Sequence, residues 1–456
     1  VAALAAGLAP PPGHATTTPA IINGGGATSP QFDLSGANNP TTNAPRSEFS
    51  LFNSTATAVQ FGTYWGSGSG AGQKAFIIND LTCDIDGATG ANSGSCVGPA
   101  GGANTVYYGT SDNPLSAAQI STWATSSFGQ SASGNLIQLP SVGTGTAITV
   151  NNTAITKNGQ LTLSDSDLCG VFSGLITNWS QITDSARTPA AGVITVVYRT
   201  DSAAPSFLLT NHLASVCTSA NTEAGVTFTG TTTFATLFKG NNSGGVITGG
   251  PLASAVGEKL NNGVANYLAG LSNGPITSAI GYLAPDWTSI ITTSGETLSN
   301  GKRSTVLVAA LKGSGTTAYT PTVNNIKTGL LNPGAGATNT TPPTTPLAGA
   351  NPTLWVPVVP VVTTGYPIVG YGTFDLPQCY ANSTIASGVI SFLTAHYKTA
   401  GYLTIQKNNG LVPLSNTPSS DFVTVILQHI TTNATKGGVW NDNIENATAC
   451  TGKAGR

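Results

Sequence analysis

Residues 194–213 read ITVVYRTDSAAPSFLLTNHL, and the stretch changes period halfway along. ITVVYR (194–199) is a run of β-branched and aromatic residues suited to a strand buried on both faces, whereas PSFLLTNHL (205–213) carries apolar residues at helical spacing. A strand that opens through a short hydroxyl and alanine turn into a helix is the repeating unit of an α/β sheet. Pro205 stands where such a helix would begin, a position whose N–H has no partner within the helix. The same logic extends outward. AFIIN (75–79) reads as a strand, TVYYG (105–109) as a strand followed by a helix over PLSAAQISTWATS (114–126), and AIGYLA (279–284) as another strand. A chain of 456 residues exceeds one ordinary core, so two lobes are expected.

Composition narrows the function. The chain carries 16 basic and 18 acidic residues, for a net charge of −2, without a basic block. A nucleic-acid partner is therefore excluded. Charged residues make up 7% of the chain, against roughly 25% in an ordinary soluble domain. Polarity comes instead from Ser, Thr, Asn and Gly, which suits a secreted protein but offers little repulsion against self-association. No apolar run approaches the roughly 18 residues a membrane span needs. The opening VAALAAGLAP, followed by Pro11 and Pro12, resembles the apolar half of a secretory signal and implies a location outside the cytoplasm. Cysteines stand at 83, 96, 169, 217, 379 and 450, with no CxxC and no adjacent histidine. Disulfides in an oxidising compartment fit better than metal ligation, and spacing alone leaves every full pairing open.

Residues 1–20 form an Ala/Pro/Thr arm and residues 332–353 a second Pro/Thr/Gly-rich segment, neither able to build a core. DIDGATGANSGS (84–95) reads as a surface loop between Cys83 and Cys96, and its DxDG lacks the distal Glu of a calcium loop.

Four segments carry the chemistry: GGGATS (24–29), GSGSGAG (66–72), YGTSD (108–112) and VVYRTDSAAPSF (196–207). Each reads as a strand end opening into a glycine or hydroxyl turn before a helix, the place where α/β sheets present free N–H groups to oxyanions. Arg199 adds a permanent charge with a planar fork of donors. Asp112 would accept a hydrogen bond from a protonated oxyanion and repel an unprotonated one, favouring hydrogenphosphate over sulfate. The four histidines, His14, His212, His396 and His429, form no ligand cluster with neighbouring residues, and there is no nucleophile elbow. A hydrolase is not expected, and His396 and His429 fit packed positions on helices.

The chain resembles the DING proteins, a branch of the periplasmic phosphate-binding proteins that serve ABC importers, from Ile22 to Arg456. The resemblance rests on INGGGATSPQ (22–31), LIQLPSVGTGTAI (136–148), LCGVFSGLITNWSQI (168–182), ITVVYR (194–199), LWVPV (354–358), GYPIVGY (365–371), QCYANST (378–384), FLTAHY (392–397) and the closing CTGKAGR. The first Asp of DING is Ile21 here, and the insertion around 83–104, the Pro/Thr segment and the N-terminal arm fall outside the likeness.

The resemblance implies a two-lobed periplasmic-binding-protein (Venus-flytrap) fold of α/β class with a two-stranded hinge near 142–147 and 366–374, plus an extended N-terminal arm. Its division would be 1–20 arm, 21–145 first part of lobe 1, 146–368 lobe 2, and 369–456 second part of lobe 1. Phosphate would be the ligand, with no cofactor and no metal, held by Thr28, Ser29, Ser69, Asp112 and Arg199. It further implies the disulfides Cys169–Cys217 and Cys379–Cys450, which leaves Cys83 for Cys96. An ABC permease becomes a candidate partner.

One departure bears on affinity. Where the family places Ser-Gly-Thr after the arginine, this chain has Ala203, Ala204 and Pro205, so two hydroxyls and one amide donor are missing. At about 1.5–3 kcal/mol per charge-assisted hydrogen bond, the loss weakens binding by a factor on the order of 10² or more. Thr200, Ser202 and Ser206 are the candidates to compensate. The alternative function is structural, a subunit of an extracellular filament or surface assembly, a homo-polymer in which residues 1–20 dock on a neighbour.

Overall fold

The computed structural model describes residues 18–36, 46–89, 96, 104–155, 161–183, 185, 187–270, 278–288, 306–416, 420–432 and 440–456. Most of the expected N-terminal arm lies outside these residues.

Eleven strands in two sheets position the site: β1 (Ala20–Gly26), β2 (Val59–Trp65), β3 (Tyr108–Ser111), β4 (Leu136–Gly145), β5 (Ala147–Asn152), β6 (Thr195–Arg199), β7 (Val256–Glu258), β8 (Ser278–Leu283), β9 (Leu307–Val308), β10 (Val369–Pro377) and β11 (Val412–Pro413). The first sheet runs β11-β4-β10-β3-β1-β2 and the second β7-β6-β8-β5-β9. Within the first, β1 pairs in parallel with β2 and β3, and β10 runs antiparallel between β3 and β4. Within the second, β6 pairs in parallel with β7 and β8, and β5 runs antiparallel to β8 and β9. Mixed sheets of this kind bury both faces under helices, which is why β4 and β10 are buried at every residue.

Thr146 alone separates β4 from β5, so the chain passes from one sheet to the other in a single residue. The Thr146 N–H donates to the Ile368 carbonyl at 3.0 Å, and the Tyr366 hydroxyl donates to the Thr146 carbonyl at 2.7 Å. β10 then opens at Val369 opposite Gly145. A Cβ on Gly145 would stand 2.8 Å from the Ile368 carbonyl oxygen, so the two crossing strands approach closely only because that residue is glycine. Phe49, Phe61, Phe392 and Tyr108 stack beneath the first sheet, and Phe172, Tyr198, Phe234 and Tyr282 beneath the second.

Helices that the site uses are α1 (Ser69–Ile78), α2 (Ala117–Thr125), α3 (Ala204–Val216), α4 (Leu260–Leu268) and α5 (Ser383–Lys398). The strand-to-helix reading of 194–213 holds as β6 and α3. AFIIN does not form a strand: it is the second half of α1 with Asn79, which closes the helix at φ 56°. Short apolar runs fit a buried helix as well as a strand, and here Ala75, Phe76 and Ile77 pack into the core. Part of the expected loop at 84–95 is also helical, within Thr82–Thr89, and its remainder up to Ser95 lies outside the described residues. Ser116 and Gln119 form the capping box that starts α2. The disulfides are Cys83–Cys96, Cys169–Cys217 and Cys379–Cys450. Among the described residues, no helix is long and apolar enough to cross a membrane.

Candidate functional site

The glycine run at 24–26 serves strand packing. A Cβ on Gly24 would lie 2.2 Å from the Tyr108 carbonyl oxygen, and one on Gly26, at φ +136°, 2.1 Å from that of Thr110. β1 therefore fits between its neighbours only without side chains there, and the residues that follow are the ones presented. The Tyr64 hydroxyl bonds the Ala27 carbonyl and lies 2.6 Å from Thr110 Oγ1, which itself accepts the Ala27 N–H at 3.0 Å. That anchoring fixes the turn carrying Thr28 and Ser29, both buried.

Ser69 opens α1 behind Gly68, whose φ of +96° suits glycine. The Gly70 N–H donates to the Ser202 carbonyl at 3.1 Å, so the start of α1 in the first lobe touches the turn before α3 in the second. Asp112 follows β3, and its N–H donates to Ser69 Oγ at 3.4 Å. Asp112 is buried, and neither carboxylate oxygen makes a hydrogen bond of ordinary geometry. Burial pushes its pKa up to about 7, partly offset by the nearby Ser29 hydroxyl and the Arg199 charge.

Arg199 ends β6 and is fully buried. Its Nε donates to Asp201 Oδ1 at 2.7 Å, Nη2 to Asp201 Oδ2, and Nη1 to Asn261 Oδ1 at 2.8 Å. A guanidinium has about five N–H donors, so these three bonds leave two uncommitted. Asn261, in the first turn of α4, also donates from Nδ2 to Thr28 Oγ1 at 2.9 Å and accepts the Ala284 N–H at 3.2 Å. The Trp287 indole donates to the Thr28 carbonyl at 3.3 Å and packs on Phe32 with ring centroids 4.6 Å apart. The two lobes thus meet around Thr28 in a closed arrangement.

The five expected ligand residues gather along these links: Ser69 and Ser29 beside Asp112, Asp112 within the field of Arg199, and Arg199 joined through Asn261 to Thr28. The three candidate compensating hydroxyls turn elsewhere. Thr200 donates to the Glu258 carbonyl at 3.4 Å, Ser202 to Thr232 Oγ1 at 2.8 Å, and Ser206 Oγ lies 2.8 Å from the Tyr282 hydroxyl. The Ala203 N–H is also taken, by the Thr232 carbonyl at 2.9 Å. Asn261, Asp201 and Trp287 are additions. Asp201 lies two residues past the arginine and was visible as RTD, whereas Asn261 and Trp287 arrive from distant segments with no local signal.

A second polar cluster lies under β4. His396 on α5 approaches Glu48 Oε2 with Nδ1 at 2.7 Å, and its Nε2 lies 3.2 Å from Ser141 Oγ. Burial raises Glu48 to about 8 and lowers His396 to about 4, so at pH 7 they meet as neutral hydrogen-bond partners and not as an ion pair.

The PBP superfamily domain matches residues 22–334. Alkaline phosphatase L of Pseudomonas aeruginosa (strain UCBPP-PA14) is 34% identical over 87% of this chain and 86% of its own. A phosphate-binding protein from an unknown prokaryotic organism is 33% identical over 83% and 87%. Among solved structures, PfluDING, a high-affinity periplasmic phosphate-binding protein bound with phosphate, is 30% identical with a TM-score of 0.66, covering 95% of this chain and 99% of that one. A human phosphate-binding apolipoprotein is 31% identical with a TM-score of 0.68, over 95% and 99%. None of these likenesses supports the filament alternative. The chain belongs to the PBP superfamily, in its branch of DING and phosphate-binding proteins.

Proposed function

We propose that this chain is a periplasmic or secreted binding protein for inorganic phosphate or an oxyanion of the same shape, without catalytic activity. One observation carries the reading. Asp112 is buried beside the Ser29 hydroxyl with no hydrogen bond of ordinary geometry to either oxygen, within the field of a buried Arg199 that retains two N–H donors. Unmet donors and an unmet acceptor in one dry space suit a ligand that carries both a negative charge and a proton. Thr28, Ser29 and Ser69 would bind oxygens with hydroxyls and with N–H groups at the start of helices, and Asp112 would accept the proton of hydrogenphosphate. The crossing at Thr146 and Ile368 would serve as the hinge that opens the cleft.

Relatives named alkaline phosphatase L motivate a hydrolytic reading, and Ser141, His396 and Glu48 have the order of a nucleophile, a base and an orienting carboxylate. Their chemistry opposes it. Ser141 is 5% exposed, His396 1% and Glu48 0%, and a protonated Glu48 cannot stabilise an imidazolium.

The test is calorimetric titration of phosphate into protein stripped of ligand by unfolding and refolding, with sulfate as control. Phosphate-selective binding is expected. Absence of binding at millimolar phosphate would end the reading.

A further inference from the structure

The turn that opens α1 is held from both lobes. Toward the second lobe, the Gly70 N–H bonds the Ser202 carbonyl, and a Cβ on Gly68 would stand 2.8 Å from Asp201 Oδ2. Asp201 is the carboxylate that grips Arg199, so a shift of this turn is felt at the guanidinium. Within the first lobe, the Gly68 N–H donates to the Gly26 carbonyl at 2.8 Å, which ties the turn to the end of β1. The buried Ser67 hydroxyl donates to Asp84 Oδ1 at 2.6 Å. That bond ties the turn to the insertion around 83–104, the part of the chain that falls outside the family likeness.

Asp84 is itself anchored. Its N–H donates to the Leu81 carbonyl at 3.0 Å, the Leu81 N–H donates to the Asn104 carbonyl at 2.9 Å, and the adjacent Cys83 is bonded to Cys96. Asp84 is fully buried, and among the described residues its Oδ2 makes no hydrogen bond of ordinary geometry. A half-met buried carboxyl costs stability, so stability alone does not account for an acid at this place. A fixed turn does. Ser69 follows two residues after Ser67, and its Oγ accepts the Asp112 N–H, which leaves the hydroxyl proton for a ligand oxygen. Donors held in place beforehand need no ordering when the anion binds. Such preorganisation matters more here because Pro205 has no N–H and that of Ala203 is taken by Thr232.

We propose, building on the oxyanion-binding reading above, that Asp84 is a positioning residue for the anion site. Through Ser67 it fixes the turn that presents Ser69, and the Cys83–Cys96 insertion holds Asp84 in place.

The test is calorimetric titration of phosphate into the full chain and into Asp84→Ala, Ser67→Ala, their double variant and Asp84→Asn, with Tm measured for each. Asp84→Ala and Ser67→Ala should each weaken binding about 10-fold, and the double variant no more than either alone, because all three remove one bond. Asp84→Asn keeps an oxygen for the Ser67 hydroxyl and should stay within about threefold of the unaltered chain. Ser141→Ala, which removes a buried contact away from the turn, should lower Tm without changing affinity and so separates positioning from general destabilisation. Ser67→Ala carries the test where Asp84→Ala fails to fold. Unchanged affinity in Ser67→Ala and Asp84→Ala overturns this inference and leaves the oxyanion reading standing. Additive losses in the double variant, or a loss in Asp84→Asn equal to that in Asp84→Ala, overturn the route through Ser67. Failure of the unaltered chain to bind phosphate overturns both readings.

Discussion

The buried cluster of ionisable groups under β4 and the one between the lobes differ in how far their charged groups are met by the protein. Under β4, both oxygens of Glu48 are occupied, by Gln406 Nε2 at 2.8 Å and His396 Nδ1 at 2.7 Å. His396 Nε2 in turn lies 3.1 Å from the Ser141 carbonyl oxygen and 3.2 Å from its hydroxyl. Between the lobes, Asp112 sits beside the Ser29 hydroxyl without a hydrogen bond of ordinary geometry while Arg199 keeps two N–H groups to spare. Desolvation is costly in both places, and the first cluster recovers it for Glu48 and His396 but not for Asp33 beside them, whose two oxygens make no hydrogen bond of ordinary geometry. The bonds of Glu48, His396 and Ser141 mark a structural element, even where these residues imitate a catalytic order. What sets the second cluster apart is a buried guanidinium with N–H groups to spare near a buried carboxyl, which a ligand would complete.

The contrast breaks most sharply at Arg199. Arg199→Ala should lower phosphate affinity by a factor on the order of 10³, since it removes the buried positive charge acting on Asp112 and the anchor that Asn261 uses. Titration of the variant measures this, and retained affinity would place the anion elsewhere. Restoring hydroxyls and the amide with Ala203→Ser and Pro205→Thr together should raise phosphate affinity by about 10². Asp112→Asn should cost about 10-fold for phosphate and narrow the gap between phosphate and sulfate, because an amide can donate to an unprotonated oxyanion where a carboxylate repels it.

Stability against pH sharpens the comparison in the ligand-free protein. Glu48 is raised to about 8, and Asp84, Asp112 and Asp375 to about 7, with burial the leading cause in each. The native state therefore holds protons that the unfolded chain releases near pH 4, so this contribution is present at low pH and lost as pH rises through about 7 to 8. His396 acts oppositely: lowered to about 4 by burial, it costs stability as pH falls below about 6.5. Four carboxyls outweigh one imidazole, so Tm without ligand should be higher at pH 5.5 than at pH 8. Asp112→Asn should recover part of the difference at pH 8, and thermal denaturation of both proteins across that range checks it.

What was legible in the residues follows the range of the forces involved. ITVVYR and the helix after it were readable because strand and helix periods are local. Asp112 and Arg199 could be singled out because each stands at a strand end, and the structure brings them within one another's field. AFIIN misled because burial on all sides erases periodicity. Thr200, Ser202 and Ser206 stood at the right distance along the chain, but the turn into α3 and the neighbours Glu258, Thr232 and Tyr282 decide where their hydroxyls go. Asn261 was invisible for the same reason. Its value lies in bridging Arg199 at the end of one sheet and Thr28 in the turn after a strand of the other, a relation that exists only after the lobes meet. The glycine run drew attention to the turn carrying Thr28 and Ser29, but its glycines serve close strand packing.

The smallest effect is expected at Ser141, and it is the most informative about the enzyme reading. If Ser141, His396 and Glu48 were catalytic, Ser141→Ala would abolish any phosphatase activity of the purified protein. If they are structural, the variant loses one hydroxyl contact to a neutral histidine, worth about 0.5–1.5 kcal/mol. The histidine keeps the Ser141 carbonyl as an alternative partner at 3.1 Å. Tm should therefore fall by only a few degrees, with phosphate affinity unchanged and any trace of phosphate-ester hydrolysis in the preparation equally unchanged. Parallel loss of hydrolysis with intact folding would reverse the assignment, because a hydroxyl whose hydrogen bond is merely structural has no means to set a rate.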